Sequence, residues 1–334
     1  MQKKGTVMSF LPYLFAVLKN VVYGSSVFFT GELSETTDVL DILALRFLLS
    51  LAVMWLLKTV RILRIRVGLR DILRRREARF PLIRALLLAA LFEPVLYMLF
   101  ETAGISMTTN VTAAVIISLS PIASCIAEEL VLKEKSTLLQ KLLLLLGIVG
   151  VLYIALHTDT TTGEDSAAGI LLLFGAVISG ALFAAFSRKA SHGFTAMEIT
   201  YVSCMLGAVL FNAINVVRHL VAGTLASYFA PYFCLRNMVG FLFLGVLSTI
   251  VATGMNNYAM SKVQISTVAA FSGLSTFVTI LLGVLLRGER LYPFHFIGLS
   301  LILARMIGVS VISIRRDRVR RQQKEDSQIS ERST

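Results

Sequence analysis

The stretch Thr109–Tyr153, TNVTAAVIISLSPIASCIAEELVLKEKSTLLQKLLLLLGIVGVLY, decides how the chain is to be read. It holds an apolar helix with Pro121 midway and Glu128-Glu129 near its end. A charged turn follows, Leu132-Lys133-Glu134-Lys135-Ser136, and then a second apolar helix. Gln264–Gly308 repeats the plan, with Arg287-Gly288-Glu289-Arg290 as its turn. A constant offset of 155 aligns Glu134 with Glu289, Thr112 with Thr267, Ala114 with Ala269, Leu119 with Leu274 and Ser120 with Ser275. Like-placed turns between helices of equal length point to an internal duplication, and a duplication sets the whole fold.

Outward from these two stretches the chain is apolar throughout. Of its 334 residues 56% are hydrophobic, the mean hydropathy is +0.78, and only 16% are charged, against about 25% in soluble domains. Runs of roughly 20 apolar residues recur, each enough to cross a bilayer core of about 30 Å. Ten such spans are read: Met8–Thr30, Val39–Thr59, Leu82–Ala103, Thr109–Leu132, Leu138–Leu156, Ala168–Phe186, Ala196–Val217, Met238–Met260, Ile265–Leu286 and Pro293–Ile314. Each must be helical, because lipid gives the backbone no hydrogen-bond partner. The expected fold is an all-α integral membrane protein of ten transmembrane helices. Residues 8–156 and 168–314 form its two five-helix repeats, and residues 315–334 a basic cytoplasmic tail expected to be disordered.

Lys and Arg set the orientation. With the N-terminus inside, 25 of them fall in cytoplasmic segments, four outside and three within spans. Both termini are therefore expected in the cytoplasm, with the protein multi-pass in the cell membrane. Five spans per repeat is an odd number, so the second repeat is expected to be inverted. The net charge of +12 sorts by membrane side and does not point to nucleic acid. The apolar run after Met1-Gln2-Lys3-Lys4 is read as an uncleaved first span. Cys125, Cys204 and Cys234 are odd in number and contain no C-x-x-C, which argues against a disulfide framework or a metal knuckle. His157, His192, His219 and His295 lack ligand spacing, and no metal or cofactor is expected. The run Arg70–Arg76 reads either as an amphipathic helix on anionic lipid or as plain positive-inside charge. The aromatic cluster Tyr228, Phe229, Tyr232 and Phe233 reads either as a lid or as rings seated among headgroups.

The intramembrane polar groups carry the chemistry. Lys19, Glu93 and Arg305 fall near the midplane, where a charge costs about 2.5–3.5 kcal/mol, so together they require partners, water or a substrate. Glu93 precedes Pro94, which withholds a backbone donor and loosens the helix. Glu93, Tyr97 and Glu101 stand four apart on one face. The offset of 155 sets Glu101 opposite Asn256, within a second stripe of Thr249, Thr253, Asn256 and Asn257. Two repeat-related polar stripes fit a shared cavity, and they equally fit interhelical hydrogen-bond glue. Arg46, about 12 Å deep, has two readings: it binds a substrate carboxylate, or it pairs with Asp41 or Asp38. Arg305 has three: snorkelling, an anionic lipid, or a seam between copies. Glu134 and Glu289 are read as helix punctuation, ending one helix and capping the next.

In order along the chain, Tyr23-Gly24-Ser25-Ser26-Val27-Phe28, Leu43-Ala44-Leu45-Arg46-Phe47, Ser118-Leu119-Ser120-Pro121 with Lys133-Glu134, Gln140, Gly150, Phe186-Ser187-Arg188-Lys189, Gly288-Glu289-Arg290 and Gly298 form a pattern. It resembles that of the EamA-type transporters of the drug/metabolite transporter superfamily. The resemblance covers roughly Pro12–Ile314 and departs at Thr276, where a Pro is expected, and at Arg305, where a Gly is expected. It implies ten helices in inverted halves around a central cavity, which is the architecture of secondary transporters with a midplane site. The implied function is secondary active transport of a small metabolite, amino-acid-like or drug-like. Expected partners are that substrate and membrane lipids, with a homodimer left open. Lys19, Arg46, Glu93, Tyr97, Glu101, Thr253, Asn256 and Asn257 are the candidates for binding or coupling, with Glu93 read either as a proton carrier or as one half of a structural pair with Lys19. A lipid-translocating protein and a non-transporting sensor are the alternatives. An intramembrane enzyme built on Ser275 is disfavoured, because its nearest histidine in sequence, His295, lies about 15 Å away in depth.

Overall fold

The computed structural model describes residues 3–63, 65, 80–105, 107–108, 116–134, 137–157, 166–287, 292–294, 296–309, 311–312 and 315. The run Arg70–Arg76, the turn residue Glu289, His295 and the tail beyond residue 315 lie outside them.

Regular structure among the described residues is helical throughout, as a backbone in hydrocarbon requires. Seven helices are long and apolar enough to cross a membrane: Phe10–Ser34, Val39–Thr59, Pro81–Ile105, Ala167–Ala190, Ala196–Ala222, Leu235–Lys262 and Ile265–Leu286. Two shorter apolar helices, Leu138–Gly150 and Phe296–Val309, fall where the fifth and tenth spans were expected. The described part of the fourth is helical from Ser120.

The elements, in chain order, are α1 (Lys3–Ser34), α2 (Val39–Thr59), α3 (Phe80–Ala90) and α4 (Tyr97–Ile105), the last two joined through a π-helical turn at Leu91–Leu96. Next come α5 (Ser120–Ala127), whose end Glu128–Leu132 is π-helical, α6 (Leu138–His157), α7 (Ala167–Ala190) and α8 (Ala196–Val221). α9 (Leu235–Leu242) passes through a π segment, Phe243–Ala252, into α10 (Thr253–Lys262), followed by α11 (Ile265–Ala270) and α12 (Gly273–Arg287). The apolar helix Phe296–Val309 is α13.

The helix ends follow local chemistry. Asp38 accepts from the Leu40 N–H at 2.9 Å and starts α2. Thr195 and Glu198 form a reciprocal capping box on α8. Thr137 and Gln140 exchange equivalent bonds ahead of α6, at 2.9 and 3.3 Å. The turn before them closes on Lys133 in the left-handed region, φ 58°. Glu134 is therefore not the cap that the sequence suggested. Its carboxylate takes both bonds of the Arg188 guanidinium, at 2.9 and 3.1 Å, and ties the end of α5 to the end of α7.

The packing repeats itself with the halves exchanged. α1 lies against the π segment, α10 and α12, while α7 lies against α3, the turn Leu91–Leu96, α4 and α5. α2 packs on α8, and α5 on α11. Swapping first for sixth, second for seventh, third for eighth and fourth for ninth span maps this pattern onto itself. The irregularities follow: an offset of 155 carries the π turn 91–96 inside the π segment 243–252. Close approach is bought with small residues. Ala176, Ala181, Ala184, Ala185 and Ala190 are all buried along α7, as expected where packing rather than water drives association.

Candidate functional site

The π segment Phe243–Ala252 explains why polar side chains gather on this helix. A π turn misaligns carbonyls with their usual donors, and hydroxyls take some of them up. Thr249 donates to the Leu244 carbonyl at 2.8 Å and Thr253 to that of Ser248 at 3.4 Å. Ser50, from α2, donates to the Gly245 carbonyl at 2.7 Å. The hydroxyl of Thr249 then accepts from Arg46, at 3.3 Å from Nε and 3.0 Å from Nη2. A guanidinium of the first repeat is thus held by a threonine of the second.

Glu93 sits at the opposite irregularity. Its backbone is extended (φ −140°, ψ 124°) inside an otherwise helical span, immediately before Pro94. The break turns Glu93 into a cavity lined also by Arg46, Phe47, Pro94, Met98, Phe183, Thr200, Ser203, Cys204, Thr249 and Thr253. The cavity is small, about 30 Å³. That is room for roughly two waters. Glu93 makes no hydrogen bond or ion pair with another described residue.

Of the eight residues singled out in the sequence, Arg46, Glu93 and Thr253 reach this cavity. Lys19 is near enough for its charge to act on Glu93 but makes no direct ion pair with it. It is 7% exposed and donates to Asn256 Oδ1 at 2.7 Å, beside Tyr23, whose hydroxyl meets Thr253 at 3.2 Å. Tyr97 donates to Glu101 at 2.8 Å, one turn along α4. Asn257 is buried, accepts from Ser187 at 2.9 Å and donates to Thr200 at 3.0 Å. It joins α10, α7 and α8 as interhelical glue.

Arg46 does not pair with Asp41 or Asp38. Asp41 is held instead from α8, by Arg218 and His219 at 2.8 Å each and by Asn215 at 2.8 Å, while Arg218 also reaches Asp38 at 2.6 Å. The aromatic segment divides. Tyr228 donates to Asn212 and Tyr232 to the Leu45 carbonyl, each at 2.6 Å, whereas Phe229 and Phe233 stay exposed. Arg305 is 2% exposed, so it neither snorkels nor faces outward to another copy.

The cavity also has a wall the sequence did not single out, Thr200, Ser203 and Cys204 on α8. Small hydroxyls and a thiol read as ordinary helix filler, and only their spacing on one face could have marked them. Another omission is Glu128, fully buried, which accepts from the backbone N–H of Ile265 at 2.8 Å and of Ser266 at 3.1 Å. It caps α11 from the other repeat.

The model of the EamA-like transporter family matches twice, over residues 10–156 and 167–313. The chain belongs to the EamA-like transporter family. It is a multi-pass membrane transporter of the drug/metabolite transporter superfamily. The uncharacterized transporter YcxC of Bacillus subtilis (strain 168) is 30% identical over 303 residues, which cover 90% of this chain and 92% of that one. A crystal structure at 14% identity superposes with a TM-score of 0.69 over 90% of this chain and 98% of its own, a likeness of fold.

Proposed function

We propose that this EamA-like protein is a secondary active transporter of a small, amino-acid-like or drug-like metabolite. It works by alternating access between ten helices in two inverted repeats, with both termini cytoplasmic. The observation that carries the reading is the cavity between the repeats, where Arg46 and Glu93 meet across apolar walls of Phe47, Met98 and Phe183. A cationic and an acidic group within such walls suit a small amphiphilic solute, since a few placed polar groups orient it and the apolar surface supplies area.

The cavity is narrow, so a metabolite enters only when the helices part. Clasps at both ends of the bundle fit that cycle. Arg218 with Asp38 and Asp41 closes one end. Arg188 with Glu134 and with the carbonyls of Met260 and Val263 closes the other.

Glu93 is the proposed coupling residue, since it makes no hydrogen bond with another described residue and lines the cavity, with the charges of Lys19 and Arg46 acting on it. Purified protein in sealed vesicles is expected to accumulate substrate in response to a pH gradient. Glu93→Gln is expected to bind substrate and exchange it but to lose the response to the gradient. A gradient response that survives in Glu93→Gln removes the coupling role. Absence of flux for every small molecule that stabilises the purified protein would favour a sensor.

A further inference from the structure

Arg305 lies outside the cavity just described, in the seam between α6, α12 and α13. A Cβ on Gly147 would collide with its Cδ and Nε, and one on Gly273 would come within 2.9 Å of Nη2. Two bare backbones thus form the slot for the guanidinium. Among the described residues its one hydrogen bond is from Nη2 to Ser272 Oγ, at 3.3 Å. Nε is buried and unpartnered. Among the described residues no carboxylate pairs with it.

The electrostatics are adverse. A guanidinium has five donors and is charged at any accessible pH, and here it is 2% exposed. It lies against Gly273, where the span Ile265–Leu286 continues through a turn whose N–H groups at Phe271, Ser272, Leu274 and Ser275 already bond preceding carbonyls. A buried cation is left with a serine hydroxyl.

We propose that Arg305 and Ser272 form an anion-binding site, distinct from the Arg46–Glu93 cavity. The ligand is a small anion, a halide or a phosphate-type oxyanion, held by the guanidinium fork with the Ser272 hydroxyl beside it. Gly147 lies nine residues into α6, about 14 Å from its start. The anion therefore comes either free from water or as the phosphate of an anionic lipid drawn inward.

The test is thermal unfolding of full-length protein in detergent, with potassium gluconate replaced by chloride or by inorganic phosphate at constant ionic strength. A third arm adds phosphatidylglycerol to delipidated protein. Saturating anion is expected to raise the Tm of wild type by about 5 °C. Arg305→Gln is expected to lose the rise and Ser272→Ala to need more anion for half the effect. Should Arg305→Gln fold poorly, Arg305→Lys, which keeps the charge without the fork, is expected to shift the midpoint at least tenfold. A rise with phosphatidylglycerol alone assigns the site to lipid, and a rise with chloride or phosphate assigns it to a free anion. No rise in wild type in any arm overturns the proposal, as does an equal rise in wild type and the Arg305 and Ser272 variants.

Discussion

At the scale of single residues, Glu128 shows how one side chain can join two repeats. Fully buried, it satisfies two backbone donors of α11. Glu128→Ala would leave both N–H groups dry, at about 1–3 kcal/mol each. The expected result is a loss of roughly 2–6 kcal/mol in stability, read as a lower Tm or a lower unfolding midpoint in denaturing detergent, with Glu128→Gln milder because one acceptor remains. Sequence made Lys19, Arg46 and Glu93 visible, because charge in an apolar run stands out whatever surrounds it. It could not supply their partners. Lys19 finds Asn256 at a separation of 237 residues and Arg46 finds Thr249 at 203, and pairings that distant leave no mark on local pattern. The expected Arg46–Asp41 pair failed for the same reason, since α8 brings Arg218 and His219 to Asp41 first.

At the scale of elements, hydropathy located the helices well and their internal geometry poorly. An apolar run has the same composition whether its hydrogen bonds close at four residues or at five, so the π segment 243–252 was not legible. Pro94 did announce the break beside Glu93. The π geometry makes Thr249 bifunctional: it donates to Leu244 and accepts from Arg46. Thr249→Val is nearly isosteric and removes both bonds. It is expected to cost about 1–2 kcal/mol of stability and, by freeing Arg46, to weaken substrate binding at least tenfold. Vesicle flux against substrate concentration, measured beside a thermal melt, separates the two effects.

At the scale of the whole molecule, the exchange of contacts between the halves was foreshadowed by the two Glu turns, but only the three-dimensional packing reveals which helices trade places. The two clasps make a mechanical prediction. Cysteine pairs at Asp38 and Arg218, or at Glu134 and Arg188, joined by a short reducible bis-thiol-reactive linker that spans the length of the lost ion pair, are expected to abolish flux, with reduction restoring it. Flux that persists through either cross-link means that end does not open. The exchange also has a consequence for biosynthesis. α1 leaves the ribosome well before its packing partners α10 and α12, which belong to the far half of the chain. At 5–20 residues per second, the 237 residues from Lys19 to Asn256 leave the lysine without its partner for roughly 10–50 s. During that interval the nascent first helix carries a charge in lipid and an unmatched packing face. Assembly quality is then decided late, when the eighth span arrives, and a chain that stalls before it presents a marked and incomplete helix to the membrane's quality-control machinery.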